Sequence, residues 1–126
     1  MRLQLEYPGK KFDIYYIVLN NGSCPANDFL ENVKQNRQDS HKSLIALLKR
    51  HADDGPIFNI KKSRPIEGYQ KLLEFKSRQG DRLIYFYLPD KKTVLIDGFH
   101  KGAVAETEYR KADTIKNNYL REAENG

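Results

Sequence analysis

Residues 72–88 read LLEFKSRQGDRLIYFYL. Aliphatic and aromatic residues run up to Gln79-Gly80 and resume after it, which predicts two strands joined by a tight turn. In the first strand Glu74, Lys76 and Arg78 share parity and are expected to project outward together, with Leu73 and Phe75 inward. In the second, Arg82 leads the set Arg82, Ile84, Phe86 and Leu88, opposite Leu83, Tyr85 and Tyr87. Pairing across the turn brings Arg82 beside Lys76 or Arg78, where like charges repel across the ladder. The charge at the centre of this hairpin needs an explanation.

The flanking segments extend the hairpin into a fold. Tyr69–Lys76, Arg82–Leu88 and Thr93–His100 are three strand signals separated by short turns, Gln79-Gly80 and Pro89-Asp90, and so predict an antiparallel meander. Upstream, Phe12–Leu19 is apolar on both parities and predicts a strand with neighbours on each side. Before it, MRLQLEY alternates and predicts a short edge strand ending at Pro8-Gly9.

After the loop Asn20–Ser23, Pro25 suits a first helical turn, and Ala26, Phe29, Leu30 and Val33 form one stripe. Ser40 is expected to cap a second helix carrying Leu44, Leu47, Leu48 and His51, which Gly55-Pro56 stops. Ile57–Arg64 reads as loop. Thr107–Ala123 reads as a last helix with Tyr109, Ala112, Ile115, Tyr119 and Leu120 on one side. The order β-α-α-β-β-β-α predicts an α+β fold, in which a helical hairpin packs on one face of a mostly antiparallel sheet around a single core.

The chain has 126 residues, which predicts one domain spanning 1–126. Its formal charge is +5, from 22 Lys and Arg against 17 Asp and Glu. Between Lys61 and Arg82, seven basic residues against three acidic ones leave +4, so nearly all the excess lies in about one-sixth of the length. A lone Cys24 allows no internal disulfide or thiolate cluster, and reads as a partly buried small residue. No signal-like segment or apolar run of membrane-spanning length is present, so a cytoplasmic protein with no membrane partner is expected.

Two readings of the basic segment stay open. It is a solvated outer face, or Lys61, Lys62, Arg64 and Arg78 converge on a phosphate backbone. The aromatic residues Phe75, Tyr85, Tyr87 and Phe99 read as core more readily than as base-stacking groups. The third strand ends Asp97-Gly98-Phe99-His100-Lys101-Gly102, adding an imidazole and an ammonium to the same end of the sheet. His, Lys, Tyr and Glu all serve as proton donors or acceptors in RNA cleavage by the 2′-hydroxyl, a reaction that needs no metal, and Arg or Lys stabilises the charge that builds on phosphorus. His41 and His51 are expected only to cap or pack. No His or His/carboxylate spacing predicts a metal site, and no phosphate loop or nucleophile elbow predicts a cofactor or a serine mechanism.

The order LLEFK, a turn, GDRLIYFY, a Pro-Asp turn and VLIDGFHKG, followed by a helix, resembles the RelE/ParE superfamily of toxins from type II toxin–antitoxin systems, in its HigB/phage Gp49-like branch. The resemblance is concentrated in residues 66–120 and implies a ribosome-dependent mRNA interferase, a metal-independent endoribonuclease that blocks translation. It also implies partners: mRNA, the ribosome and a cognate antitoxin of helix-turn-helix type.

Residue by residue, Lys76 matches the basic position ending the first motif and Glu74 its carboxylate. Arg82 matches the basic residue opening the next strand, and Lys101 the lysine after the phenylalanine. His100 falls between those last two, and Tyr119 lies where relatives keep an aromatic. Catalytic roles are thus implied for Lys76, Arg82, His100, Lys101 and Glu74. In place of the basic segment that relatives carry next, this chain reads Gly102-Ala103-Val104-Ala105-Glu106-Thr107. Some ParE-like relatives inhibit DNA gyrase instead, and a nucleic-acid-binding module without catalysis is the remaining alternative.

Overall fold

The computed structural model describes residues 1–102 and 105–125. Its elements are β1 (Arg2–Pro8), β2 (Asp13–Val18), α1 (Pro25–Asn36), α2 (Gln38–Asp54), β3 (Ser63–Pro65), β4 (Leu73–Lys76), β5 (Asp81–Leu88), β6 (Lys92–His100) and α3 (Ala105–Asn125). The six strands form one sheet in the order β1-β2-β6-β5-β4-β3. Every neighbouring pair is antiparallel except β2 and β6, where Asp13–Tyr16 run parallel to Lys92–Leu95. The fold is therefore α+β with a mostly antiparallel sheet and a C-terminal helix.

The central strands bury both of their faces, and the single core expected from the sequence is in fact two. Ile14, Tyr16, Phe75, Leu83, Tyr85 and Leu95 meet Leu30, Leu44, Leu47 and Leu48 of the α1–α2 hairpin on one face. Ile17, Ile84, Phe86, Val94 and Ile96 meet Ala112 on the other, with Tyr109, Ile115, Tyr119 and Leu120 of α3 packed around it. The alternation within β5 supplies both layers, Leu83 and Tyr85 to the first and Ile84 and Phe86 to the second. With both faces covered, the charged residues of β4 and β5 have no open sheet surface to occupy.

Several boundaries differ from the sequence reading. The strand expected from Tyr69 begins at Leu73, because Gly68 and Lys71 take positive φ values of 88° and 59° and turn the chain. Part of the expected loop is the short edge strand β3, whose Ser63 pairs with Phe75. The β5–β6 turn centres on Asp90 and Lys91, at φ 66° and 61°, one residue beyond Pro89-Asp90. Two successive left-handed residues match the twist of the strands they join. The N-cap of α2 is Arg37 rather than Ser40, and only Arg37 separates α2 from α1.

A bulge between β5 and β6 decides which face of the sheet the last residues of β6, His100 among them, join. Tyr85 pairs with Leu95 and Ile84 with Asp97, so Ile96 is an extra residue on β6. Beyond it the register advances by one, and Arg82 lies opposite Phe99 and Asp81 opposite His100. The shift turns Gly98 toward α1, where an added Cβ would stand 2.2 Å from the Phe29 ring and 2.7 Å from the Arg82 carbonyl oxygen. Gly98→Ala is expected to destabilise the fold by about 1–3 kcal/mol through this overlap, because the strand carbonyl has no room to retreat. Urea unfolding would read the loss, and an unchanged midpoint would show that Phe29 repacks freely.

Candidate functional site

A groove of about 600 Å³ runs between α2 and the β3–β4 edge of the sheet. Ser43, Ala46, Leu47 and Arg50 line it from α2, and their three- and four-residue spacing puts them on one helical face. Asn59, Lys61 and Lys62 line it from the loop before β3, Lys76 from the end of β4, and Arg78 and Gln79 from the β4–β5 turn. Among the described residues, five cations and no carboxylate thus border one concavity.

The loop that forms one wall is held by its own backbone. The Asn59 carbonyl accepts from the amides of Lys62 at 2.8 Å and Ser63 at 2.9 Å, and its side-chain oxygen accepts from the Lys61 amide at 3.0 Å. The Lys76 ammonium lies 3.4 Å from the Ile60 carbonyl, tying the loop to β4.

Glu74 occupies a different place from the one its parity suggested. It is fully buried, not outward, because β3 and α3 close over that face of the hairpin. Its carboxylate accepts from Arg64 Nε at 2.9 Å and from the Tyr109 hydroxyl at 2.8 and 3.0 Å, and Arg82 Nε stands 3.8 Å away. Burial first, then the adjoining carboxylate, pushes the Tyr109 hydroxyl up to about 12, so it stays a donor. Lys76 pairs directly with Arg82 across the ladder. Burial lowers the Lys76 pKa, and the charges of Arg64 and Arg82 lower it further.

A second buried carboxylate, Asp81, lies on the hairpin face of β5 with no exposed surface. Arg37 donates from Nε to Oδ2 at 3.0 Å and from Nη2 to Oδ1 at 2.8 Å. The Ser40 hydroxyl donates to Oδ2 at 2.5 Å, and the Asp81 amide donates to Ser77 Oγ at 3.0 Å. Ser40, expected as a cap, is thus a buried ligand of this carboxylate. His100 Nδ1 donates to Oδ1 at 3.0 Å, while the His100 side chain keeps 43% of its surface exposed. Burial raises the Asp81 pKa, but the hydrogen bonds from Arg37, Ser40 and His100 and the Arg37 charge outweigh it and hold the carboxyl below the usual range.

The residues implied as catalytic therefore divide between the two faces. Glu74, Lys76 and Arg82 share the α3 face with Arg64, whereas His100 is held by Asp81 on the hairpin face. The β4–β5 turn joins the two regions. The Lys101 amide donates to the Gly80 carbonyl at 2.7 Å, and its stem packs over Gly80, so Lys101 stands beside the turn that presents Arg78. Tyr119 packs edge-on against Phe86 in the α3-face core. His51 is buried, stacked on Phe12 at 4.6 Å and bonded to Thr93 at 2.8 Å, and burial pushes its pKa down to about 4. Cys24 is half-buried, and burial raises its thiol pKa.

Arg50, Arg37 and Asp81 are additions that the sequence reading does not single out. The helical spacing from Ser43 to Arg50 is the available signal for Arg50. Asp81 has none beyond its place at a strand start. Of the segment that departs from the family pattern, residues 103 and 104 lie outside the described residues. Glu106 accepts a hydrogen bond from the Tyr69 hydroxyl. Among the described residues, no helix is long and apolar enough to cross a membrane. No protein-family model and no curated protein matches the chain.

Asp81 sets a pH test with a defined sign. Its folded pKa is depressed below 3.8, so its contribution is present above that pH and is lost as pH falls through the folded value. Wild type is expected to lose more stability than Asp81→Asn between pH 5 and 2, in thermal or urea unfolding. Parallel losses in the two proteins would show that the carboxylate is not held by its donors.

Proposed function

We propose that this chain binds single-stranded RNA and cuts it, as a translation-blocking toxin of the RelE/ParE type whose partners are mRNA, the ribosome and an inhibiting antitoxin. The observation that carries the reading is the groove bordered by Arg50, Lys61, Lys62, Lys76 and Arg78 without a lining carboxylate. Isolated surface cations are commonly balanced by neighbouring acids, whereas a concave set of one sign concentrates a polyanion. The toxin assignment itself draws on the motif order from LLEFK to VLIDGFHKG.

In this reading the phosphates lie along the groove and pass over the β4–β5 turn toward Lys101 and His100. The 2′-hydroxyl loses its proton and its oxygen attacks the adjacent phosphorus. The bond from phosphorus to the 5′-oxygen breaks, and that oxygen takes up a proton, leaving a 2′,3′-cyclic phosphate and a 5′-hydroxyl. His100 is the proton carrier best supported by geometry, since Asp81 fixes one ring nitrogen and the imidazole remains accessible. Lys101 and Lys76 supply positive charge to the developing phosphorane. Arg82 reaches solvent less, with 20% of its side chain exposed and its guanidinium beside Glu74. Glu74 in this scheme organises Arg64 and Arg82 rather than moving a proton.

A second reading, a module that holds RNA without cutting it, is favoured by one observation. Arg82 and His100 belong to opposite faces of the sheet, so the two are not presented to a phosphate from one common surface.

Two measurements separate these readings. Lys62→Ala and Arg78→Ala should each weaken RNA binding and each lower the salt slope by roughly 0.7. In translating extract, wild type should cut mRNA, and His100→Ala should lose cleavage at least about 100-fold while binding RNA normally. Salt-dependent binding with intact mRNA would establish the binding module. Loss of both binding and cleavage in wild type would refute the RNA assignment altogether.

A further inference from the structure

Among the described residues three large apolar side chains stand in solvent, and two of them belong to the loop that borders the groove. Phe58 is 88% exposed and Ile60 is 70% exposed, on the loop whose Asn59 and Lys61 line the concavity. The third, Leu5, is 50% exposed on β1, at the opposite edge of the sheet. The Phe58 loop is not slack. Ile57 packs against the hairpin-face core, Asn59 binds the amides of Lys61, Lys62 and Ser63, and Lys76 holds the Ile60 carbonyl. Anchors therefore stand on both sides of Phe58, and the aromatic residue is displayed rather than folded inward. Exposing a phenylalanine this fully forgoes a burial that would stabilise the fold, and a neighbouring phosphate-binding groove gives that exposure a use.

We propose that Phe58 is a base-stacking residue, on which an unpaired base of the strand in the groove lies. This inference rests on the RNA reading above and specifies how the strand is held. Sequence-tolerant recognition of single strands combines cations that follow the backbone with an aromatic face on which an unpaired base lies. Lys61 and Lys62 provide the first from the same loop that provides Phe58. In a duplex, both faces of each internal base are already covered by neighbours, so Phe58 has nothing to cover. Ile60 offers an apolar shoulder but no π-face, and its contribution is to contact area alone.

Fluorescence anisotropy with a labelled, uncleavable 2′-O-methyl oligouridylate tests this, alongside an abasic oligomer of equal phosphate number and a duplex of the same length. Phe58→Ala should weaken oligouridylate binding roughly 10-fold, Phe58→Trp should restore it, and Phe58→Leu should not. Wild type and Phe58→Ala should bind the abasic oligomer alike. Stacking is overturned if Phe58→Ala binds oligouridylate as wild type does, if Phe58→Leu restores binding, if the abasic oligomer is lost in parallel, or if duplex binds as tightly as single strand. The groove reading survives those results provided Lys62→Ala and Arg78→Ala still weaken binding. Failure of wild type to bind either oligomer, or indifference to Lys62→Ala and Arg78→Ala, overturns the groove reading itself, and the stacking role with it.

Discussion

A carboxylate with no exposed surface must be surrounded by donors, and Asp81 gathers its partners from four separate places. Arg37 comes from the junction between α1 and α2, Ser40 from the first turns of α2, His100 from the end of β6, and Ser77 from the β4–β5 turn, where it takes the Asp81 amide. Ser40 and Ser77 also bond each other at 2.6 Å. The helical hairpin is thereby fixed at the end of the sheet where the β4–β5 turn carries Arg78 and where Lys101 lies over Gly80. Removing the carboxylate would leave Arg37 and the buried Ser40 hydroxyl without their principal partner, a heavier loss than one hydrogen bond. Asp81 thus ties His100 to the helical hairpin whose α2 forms one wall of the groove.

The charge in the central hairpin has its counterpart on the other face. Lys76 and Arg82 stand opposite each other in the ladder, and Arg64 adds a third cation nearby. Glu74 lies among them, fully buried, and takes a hydroxyl from α3 as well. A like-charged pair across two strands is unfavourable alone, but here it flanks a shared anion. Part of the basic character of residues 61–82 is therefore structural, in the cluster that pins α3 and β3 to the sheet. Lys61, Lys62 and Arg78, with Arg50 from α2, face the groove, Lys76 borders both it and the Glu74 cluster, and no acid is among the described residues of the lining.

Much of this architecture is legible in residue periodicity. Leu83 and Tyr85 against Ile84 and Phe86 predict a two-sided strand, and the apolar stripes of all three helices fall where their spacing puts them. Ser63–Pro65 is too short to show a period, so β3 reads as loop. The second core is hidden because the stripe on α3 does not say which surface it covers. The convergence of Lys61, Lys62, Lys76 and Arg78 is visible as local charge density. The separation of His100 from Arg82 is not, because it turns on one extra residue, Ile96, in a ladder whose every position looks equally strand-like. Alternation tells which residues share a face only while the register is unbroken. Phe58 escapes notice for a similar reason, since an aromatic between Ile57 and Ile60 looks like core until its exposure is known.

The one parallel pairing among the described strands, β2 with β6, bears on the order in which the chain can assemble. The β4, β5 and β6 strands are joined by tight turns, and each finds its neighbour within a few residues. Strand β2 meets β6 only when Asp13 reaches Lys92, closing a loop of about 80 residues that contains both helices of the hairpin. Closing so long a loop carries a larger entropic penalty than forming a turn, and non-local strand pairing slows folding. The meander that carries Glu74, Asp81 and His100 is thus available from local contacts before β1 and β2 complete the sheet. During synthesis those first strands emerge long before their partner exists. Tyr15, Ile17 and Val18 must then wait without the rest of the sheet, which leaves the β1–β2 hairpin open to misassociation until β6 arrives.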